Sequence, residues 1–110
     1  MATLLVSIDG LGEFSSSESD LFECLVSVRR RLEPLGIRIC CNGARRDAYP
    51  SRMNRDMGGG LKVQVRRMGR PTTLNDVKET FAPADAADIG TVEEQETYYG
   101  DWLRVLRSLA

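Results

Sequence analysis

The chain has 110 residues, of which 42% are hydrophobic, and its formal net charge is −1. This length and composition are typical of one soluble globular domain, residues 1–110, and they exclude an intrinsically disordered chain. The balance of charges argues against a general nucleic-acid binder, because the phosphate backbone favours a large positive excess.

Two features of the composition restrict the chemistry. The sequence has no histidine, which excludes Ser-His-Asp and Cys-His catalysis and any zinc site that needs a histidine ligand. Its three cysteines, Cys24, Cys40 and Cys41, contain no CxxC pair. We therefore predict neither a metal site nor a cofactor.

The N-terminal residues MATLLVSIDG have no basic segment, and Asp9 interrupts their short apolar run. This pattern is unlike a signal peptide or a membrane span. An odd number of cysteines without framework spacing is typical of a reducing compartment. We predict a cytoplasmic protein that does not act on membranes.

The first half of the chain alternates between strand and helix patterns. TLLVSIDG predicts a strand with Leu4, Val6 and Ile8 on one face. GLGEFSSSESD, residues 10–20, is rich in small and polar residues and predicts a loop, with the helix cap at Ser16 or Ser17. A helix then runs to about Leu35. Its apolar stripe consists of Leu21, Phe22, Leu25, Val28 and Leu32.

IRICCNG predicts a second strand, with Ile37, Ile39 and Cys41 on one face. A strand, a helix and a strand in this order predict a right-handed βαβ unit, so the first two strands are expected to be parallel. LKVQVRRMG and VKETF predict two further strands. Thr91 and Glu94 have the spacing of a capping box, which predicts a final helix whose apolar face is Val92, Tyr99, Trp102, Leu103 and Leu106.

The predicted fold class is therefore α/β (α+β), a two-layer sandwich. It consists of the βαβ unit, the two further strands and a C-terminal helix, with both helices on one face of a mixed four-stranded sheet.

The segment ARRDAYPSRMNRDMGGG, residues 44–60, fits no simple pattern. From Ala44 to Arg70 the charges sum to +6, and from Pro71 to Asp101 they sum to −7. In the predicted topology, Asp9, Asn42, residues 44–60, Asp85 and Asp88 converge at one edge of the sheet, where ligands of open α/β sheets bind.

Three interpretations of this segment stay open. Its arginines are held by Asp85, Asp88 or the start of the last helix, or they form a recognition surface, or the segment is a catalytic loop. GGG at Gly58–Gly60 either cradles phosphate or is a flexible entry to the next strand. The candidate binding residues are Asp9, Asn42, Arg45, Arg46, Tyr49, Arg52, Met53, Arg55, Met57, Gly58, Gly59 and Gly60.

The sequence thus predicts a small binding or regulatory domain that recognises another macromolecule through loop 44–60, with a protein as the favoured partner. One alternative is binding of a small phosphate or carboxylate ligand at the same loop. The other alternative is an enzyme that uses Asp9, Cys40 or Cys41, where nearby arginines would lower a thiol pKa.

Overall fold

The fold is given by a computed structural model that describes residues 1–109. Its strands form two antiparallel sheets, one of β1 and β2 and one in the order β3-β4-β5. The helices and strands are, in chain order, β1 (Ala2–Ile8), β2 (Gly12–Glu18), α1 (Leu21–Leu32), β3 (Ala48–Tyr49), α2 (Arg52–Asp56), β4 (Lys62–Val65), β5 (Val77–Glu79) and α3 (Val92–Ser108). The predicted α+β class and the C-terminal helix are confirmed.

β1 and β2 form a hairpin where the sequence predicted a strand and then a loop. β1 pairs with β2 along its full length. Gly10 and Gly12 adopt φ angles of 85° and 104°, which favour glycine, at the point where the chain reverses. Phe14 points towards the protein, whereas Ser15 and Ser17 are exposed. The loop prediction was wrong because serines have weak strand propensity on their own, and pairing with the apolar β1 decides the outcome.

The predicted βαβ unit and the mixed four-stranded sheet are also wrong. Residues 37–40 belong to no strand. The amides of Asn42 and Gly43 instead donate to the carbonyls of Ala82, at 3.0 Å, and Thr80, at 2.8 Å, which follow β5. β1 therefore takes its neighbour β2 as partner, and the expected second strand is held by a later part of the chain.

The main apolar core joins α1 and α3 to the three-stranded sheet. It consists of Phe22, Val26, Ala48, Val63 and Val92, with Tyr49 packed against them. A second cluster of Leu25, Cys41 and Ala44 is covered by Leu4, Ile39 and Ile89 and attaches the hairpin to the body of the domain. The alternation of apolar and polar residues in LKVQVR predicts Val63 and Val65 on the buried face and Arg66 on the wet face. Both valines are buried, but Arg66 is buried as well.

Both long helices begin at side-chain caps. The Asp20 carboxylate accepts a hydrogen bond from the Glu23 amide at 2.8 Å, so the cap of α1 is Asp20 and not Ser16 or Ser17. α3 has the predicted capping box: the Thr91 hydroxyl accepts from the Glu94 amide at 3.0 Å, and the Glu94 carboxylate accepts from the Thr91 amide at 2.8 Å.

Two of the three glycines after α2, Gly59 and Gly60, lie close to the start of α1. The Leu21 amide donates to the Gly59 carbonyl at 2.8 Å. A Cβ atom on Gly60 would lie 2.6 Å from the Phe22 nitrogen and 2.8 Å from the Asp20 carboxylate, and Gly60 has a φ of 78°. These glycines therefore allow the backbone to pack on a helix N-terminus, which agrees with the structural interpretation of GGG.

Candidate functional site

The 44–60 segment contains two parts with different surroundings. Residues 44–50, here called the front segment, include β3 and are largely buried. Residues 51–57, here called the back segment, form α2 and the residues at its two ends, and they are mostly exposed. Pro50, itself buried, separates them.

A single buried side chain, Gln95 of α3, holds the front segment in place. Its Nε2 lies 2.8 Å from the Gly43 carbonyl, 3.0 Å from the Arg45 carbonyl and 2.8 Å from the Ala48 carbonyl. Its Oε1 accepts a hydrogen bond from Arg29 at 2.7 Å. The two hydrogens of this amide are thus shared among three backbone carbonyls, and one buried side chain ties several parts of residues 43–48 to α3.

Arg29 extends this polar network to α1. Its guanidinium also donates to the Gly90 carbonyl at 2.8 Å and lies 3.6 Å from the Glu33 carboxylate. That carboxylate accepts hydrogen bonds from the Val92 amide at 3.1 and 3.2 Å. Burial lowers the pKa of Arg29, and the charge of Glu33 opposes this shift. The network therefore fixes the start of α3 against the end of α1.

Of the two arginines of the front segment, Arg45 is engaged within the fold, whereas the Arg46 side chain is exposed. Arg45 donates two hydrogen bonds to the Asp47 carboxylate in a bidentate contact, at 2.9 and 3.1 Å, and its guanidinium lies 3.8 Å from the Asp88 carboxylate. The hydrogen bonds to Asp47 raise the pKa of Arg45. The Arg46 amide donates to the Asp88 carbonyl at 2.9 Å, and its guanidinium lies 5.9 Å from the centre of the Tyr98 ring. Arg45 is thus held mainly by Asp47, within its own segment, and it meets the acidic segment only at Asp88.

Aromatic rings connect the front segment to α3. The Tyr49 ring stacks on Tyr99 with centroids 4.0 Å apart, and Tyr99 is followed by Trp102 at 6.1 Å. Arg66 lies over the Tyr99 and Trp102 rings, at 4.8 and 4.6 Å, and donates to the Tyr49 carbonyl at 3.2 Å. Burial lowers the pKa of Arg66, whose cation is stabilised by the ring faces.

Arg55 anchors α2 to α1 through ion pairs and ring contacts. Its guanidinium lies 3.1 Å from the Glu23 carboxylate and 3.7 Å from Asp20. It also covers the Phe22 ring at 5.0 Å and the Tyr49 ring at 5.4 Å. Arg55 is therefore an anchor of the short helix as well as part of its surface.

The remaining large side chains of the back segment face solvent. The Arg52 side chain is 95% exposed, and its contact with Asp56, at 3.6 Å, is between two exposed groups. Met53 and Met57 are 69% and 83% exposed. A capping box between Ser51 and Asn54 orders the helix that carries them. An ordered element thus presents a cation and two flexible apolar side chains to solvent.

A groove of about 350 Å³ lies beside α2. Its lining combines aromatic and aliphatic side chains with charged groups of both signs. It is lined by Phe22, Glu23, Val26, Tyr49, Pro50, Arg52, Arg55, Val92, Gln95, Glu96 and Tyr99. Of the candidate residues of the sequence analysis, Tyr49, Arg52 and Arg55 meet here.

Other candidate residues lie elsewhere. Asp9 is exposed in the hairpin turn, and among residues 1–109 no hydrogen bond or ion pair joins it to residues 44–60. Its expected convergence with that segment depended on the parallel strand pair, which does not form. Asn42 is buried and donates to the Glu79 carbonyl at 3.1 Å, so it holds a turn.

The two adjacent cysteines have different environments. Cys40 is exposed, whereas Cys41 is buried beside Leu25 and Ala44. Burial raises the pKa of the Cys41 thiol, which disfavours the reactive thiolate. The geometry around Cys41 therefore gives no support to the enzyme alternative.

The sequence analysis missed Gln95 and Arg29, although both carry a visible signal. Gln95 falls on the apolar face of α3, three residues after Val92 and four before Tyr99. Arg29 falls between Leu25 and Leu32 on the stripe of α1. A polar residue at a buried helical position indicates a buried polar network. Arg66, which follows the end of β4, carries no such signal.

Comparison of the sequence with protein-family models and with curated proteins finds no match. Within residues 1–109, no group of three or more histidine, cysteine, aspartate or glutamate side chains is arranged to hold a metal ion. None of the helices formed by these residues is long and apolar enough to cross a membrane.

Proposed function

We propose that this chain is a binding or regulatory domain that recognises another protein through the α2 surface, defined as Arg52, Met53, Met57 and the adjacent groove. The observation that carries the proposal is the exposure of all three side chains, at 95%, 69% and 83%. The short helix that presents them is capped by Ser51 and anchored to α1 by Arg55. Arginine and methionine are enriched at protein interfaces, and methionine adapts its shape to the partner.

The groove supports the same proposal. Its lining includes the stacked rings of Tyr49 and Tyr99, which offer a rigid apolar contact at low entropic cost. Because Arg52 has only an exposed partner in Asp56, its charge is available to an incoming carboxylate. The expected partner therefore places an apolar side chain in the groove and an acidic residue near Arg52.

Photo-crosslinking tests this proposal. A benzophenone amino acid at position 57 is expected to give a discrete adduct in cells that make the protein, and Arg52→Ala is expected to reduce that adduct by about tenfold or more. Position 74 is the matched control, since Leu74 is 91% exposed but lies outside the α2 surface. Equal adducts at both positions, or an adduct indifferent to Arg52→Ala, would contradict the proposal.

A second candidate is binding of a small carboxylate or phosphate ligand in the groove. The exposed Arg52 in the lining of the groove favours it, because guanidinium groups bind carboxylates and phosphates. This candidate predicts saturable binding of benzoate or pyrophosphate that weakens with salt and is lost in Arg52→Ala. Absence of such binding, together with a crosslinked protein adduct, would distinguish the first candidate from the second.

We also propose a cytoplasmic location. Cys24, Cys40 and Cys41 are all free thiols, and free cysteines persist most readily in a reducing compartment. Fractionation of cells that make the protein tests this part of the proposal.

A further inference from the structure

The β1–β2 hairpin has one sheet edge that nothing in the described chain covers. β1 pairs only with β2, and the segment ATLLVSI contains no charge and no proline. Among residues 1–109, the one hydrogen bond from the β1 backbone to a residue beyond the hairpin is a thiol contact, from Cys24 to the Ala2 carbonyl at 3.4 Å. Long uncharged edges of this kind are templates for pairing with another strand.

The opposite edge of the hairpin is protected. β2 carries Glu13 and Glu18, and the Arg31 guanidinium donates to the Ser15 carbonyl. Charged residues and occupied carbonyls discourage strand addition. The hairpin is therefore asymmetric, with an open edge at β1 and a closed edge at β2.

The inner face of the hairpin is incompletely covered. Leu4, Val6, Ile8 and Phe14 all point inwards, yet each is only half-buried. A two-stranded hairpin is marginally stable in water by itself, and additional strands with an apolar face make a stable sheet. The hairpin would therefore gain from a further strand beside β1.

We propose that the open edge of β1 pairs antiparallel with β1 of a second copy of this chain, about a two-fold axis at Leu5. The sequence of β1 is nearly symmetric about Leu5 in chemical type. The axis places Thr3 opposite Ser7 of the second copy, Leu4 opposite Val6, and Ala2 opposite Ile8. Hydroxyl residues thus face hydroxyl residues on the outer side, and apolar residues face apolar residues on the inner side.

This arrangement closes at two copies. A two-fold axis perpendicular to the sheet makes a four-stranded sheet in the order β2-β1-β1-β2, with α1 of each copy on the same face. The outermost strands are then β2, whose edges are protected by Glu13, Glu18 and the Arg31 contact. The surface shares no residue with the α2 surface, so it stands independently of the proposed function.

The proposal is tested by light scattering on the full chain over a range of concentrations, for the wild type and for variants that carry a charge at position 5. Leu5 is 58% exposed, so a charge there leaves the core intact. The wild-type chain is expected to be a dimer. Leu5→Lys and Leu5→Glu are each expected to raise its dissociation constant by about tenfold or more, because like charges face each other across the axis. An equimolar mixture of the two variants is expected to restore the dimer.

Ser15→Lys is the matched control. Ser15 lies directly opposite Leu5 on the same exposed face, but on the protected strand. This variant is expected to remain a dimer. A wild-type chain that stays monomeric at its highest soluble concentration, or a mixture that fails to restore the dimer, would overturn the proposal. A dimer indifferent to both charges at Leu5 would also overturn it, because that dimer uses another surface.

Discussion

The front and back segments of residues 44–60 both contain arginines, but these arginines have different roles. In the front segment, Arg45 is fixed by a two-pronged contact with Asp47, and Gln95 occupies the backbone carbonyls. In the back segment, Arg52 is almost fully exposed and has only the exposed Asp56 as a partner. A basic, irregular stretch therefore does not act as one unit, and burial decides which of its arginines are structural.

Gln95→Leu is expected to have the largest effect, because it breaks the front segment while preserving side-chain volume. It leaves Arg29 and three carbonyls without their shared partner, which is expected to lower the free energy of unfolding by about 3 kcal/mol or more. Urea unfolding measures the change. Thr97→Leu, an exposed site on the same helix, is the control and is expected to change little. Equal effects of the two changes would contradict the role of Gln95.

Gly60→Ala and Gly59→Ala compare a buried with an exposed backbone position just beyond the back segment. Both glycines have positive φ angles, but only Gly60 has atoms closer than 3.0 Å to an added Cβ. We expect a loss of about 3 kcal/mol for Gly60→Ala and about 1 kcal/mol for Gly59→Ala. Urea unfolding of both variants measures the difference. If Gly60→Ala costs no more than Gly59→Ala, the close packing on α1 is wrong.

Arg45→Ala and Arg52→Ala test the comparison between the segments with the same substitution. Arg45→Ala removes a charged two-pronged hydrogen bond and is expected to cost about 1–2 kcal/mol. Arg52→Ala removes only an exposed contact and is expected to stay within about 0.5 kcal/mol. Thermal and urea unfolding measure both changes. A larger loss for Arg52→Ala would remove the basis for assigning Arg52 to recognition.

We expect alkylation of the cysteines to have the smallest effect on stability, because the cysteine expected to react first, Cys40, is exposed. At neutral pH, Cys40 is expected to react first because it is exposed, while Cys41 is protected by burial that also raises its pKa. Mass spectrometry of the iodoacetamide-treated native protein measures the order. Faster reaction of Cys41 than of Cys40 would return the enzyme alternative to consideration.

Local patterns predicted the elements that local contacts determine. The capping box of Thr91 and Glu94 and the buried Val63 and Val65 follow from spacing alone. The hairpin was missed because its serines gain strand structure only from pairing with β1, a contact that periodicity does not report. Asp9 followed by Gly10 was a turn signal that could have indicated it.

The structure brings some of the candidate site residues together, and their role in binding stays a prediction. Tyr49, Arg52 and Arg55 do line one groove, and Met53 and Met57 are exposed beside it. The sequence could not separate these from Gly60, because its close contacts with Asp20 and Phe22 come from residues distant in the chain. It could not separate them from Arg45 either, because spacing alone does not show that Asp47 pairs with that arginine. Whether the α2 surface binds a protein stays a prediction.

Amide hydrogen exchange across residues 43–57 tests most directly the division of this segment. The amides of Gly43 and Arg46, which donate to the carbonyls of Thr80 and Asp88, are expected to exchange slowly in the free protein. The amides of Arg55 and Met57, in the exposed short helix, are expected to exchange faster, by about tenfold or more. Equal protection on both sides of Pro50 would contradict the division into a structural front segment and an exposed back segment.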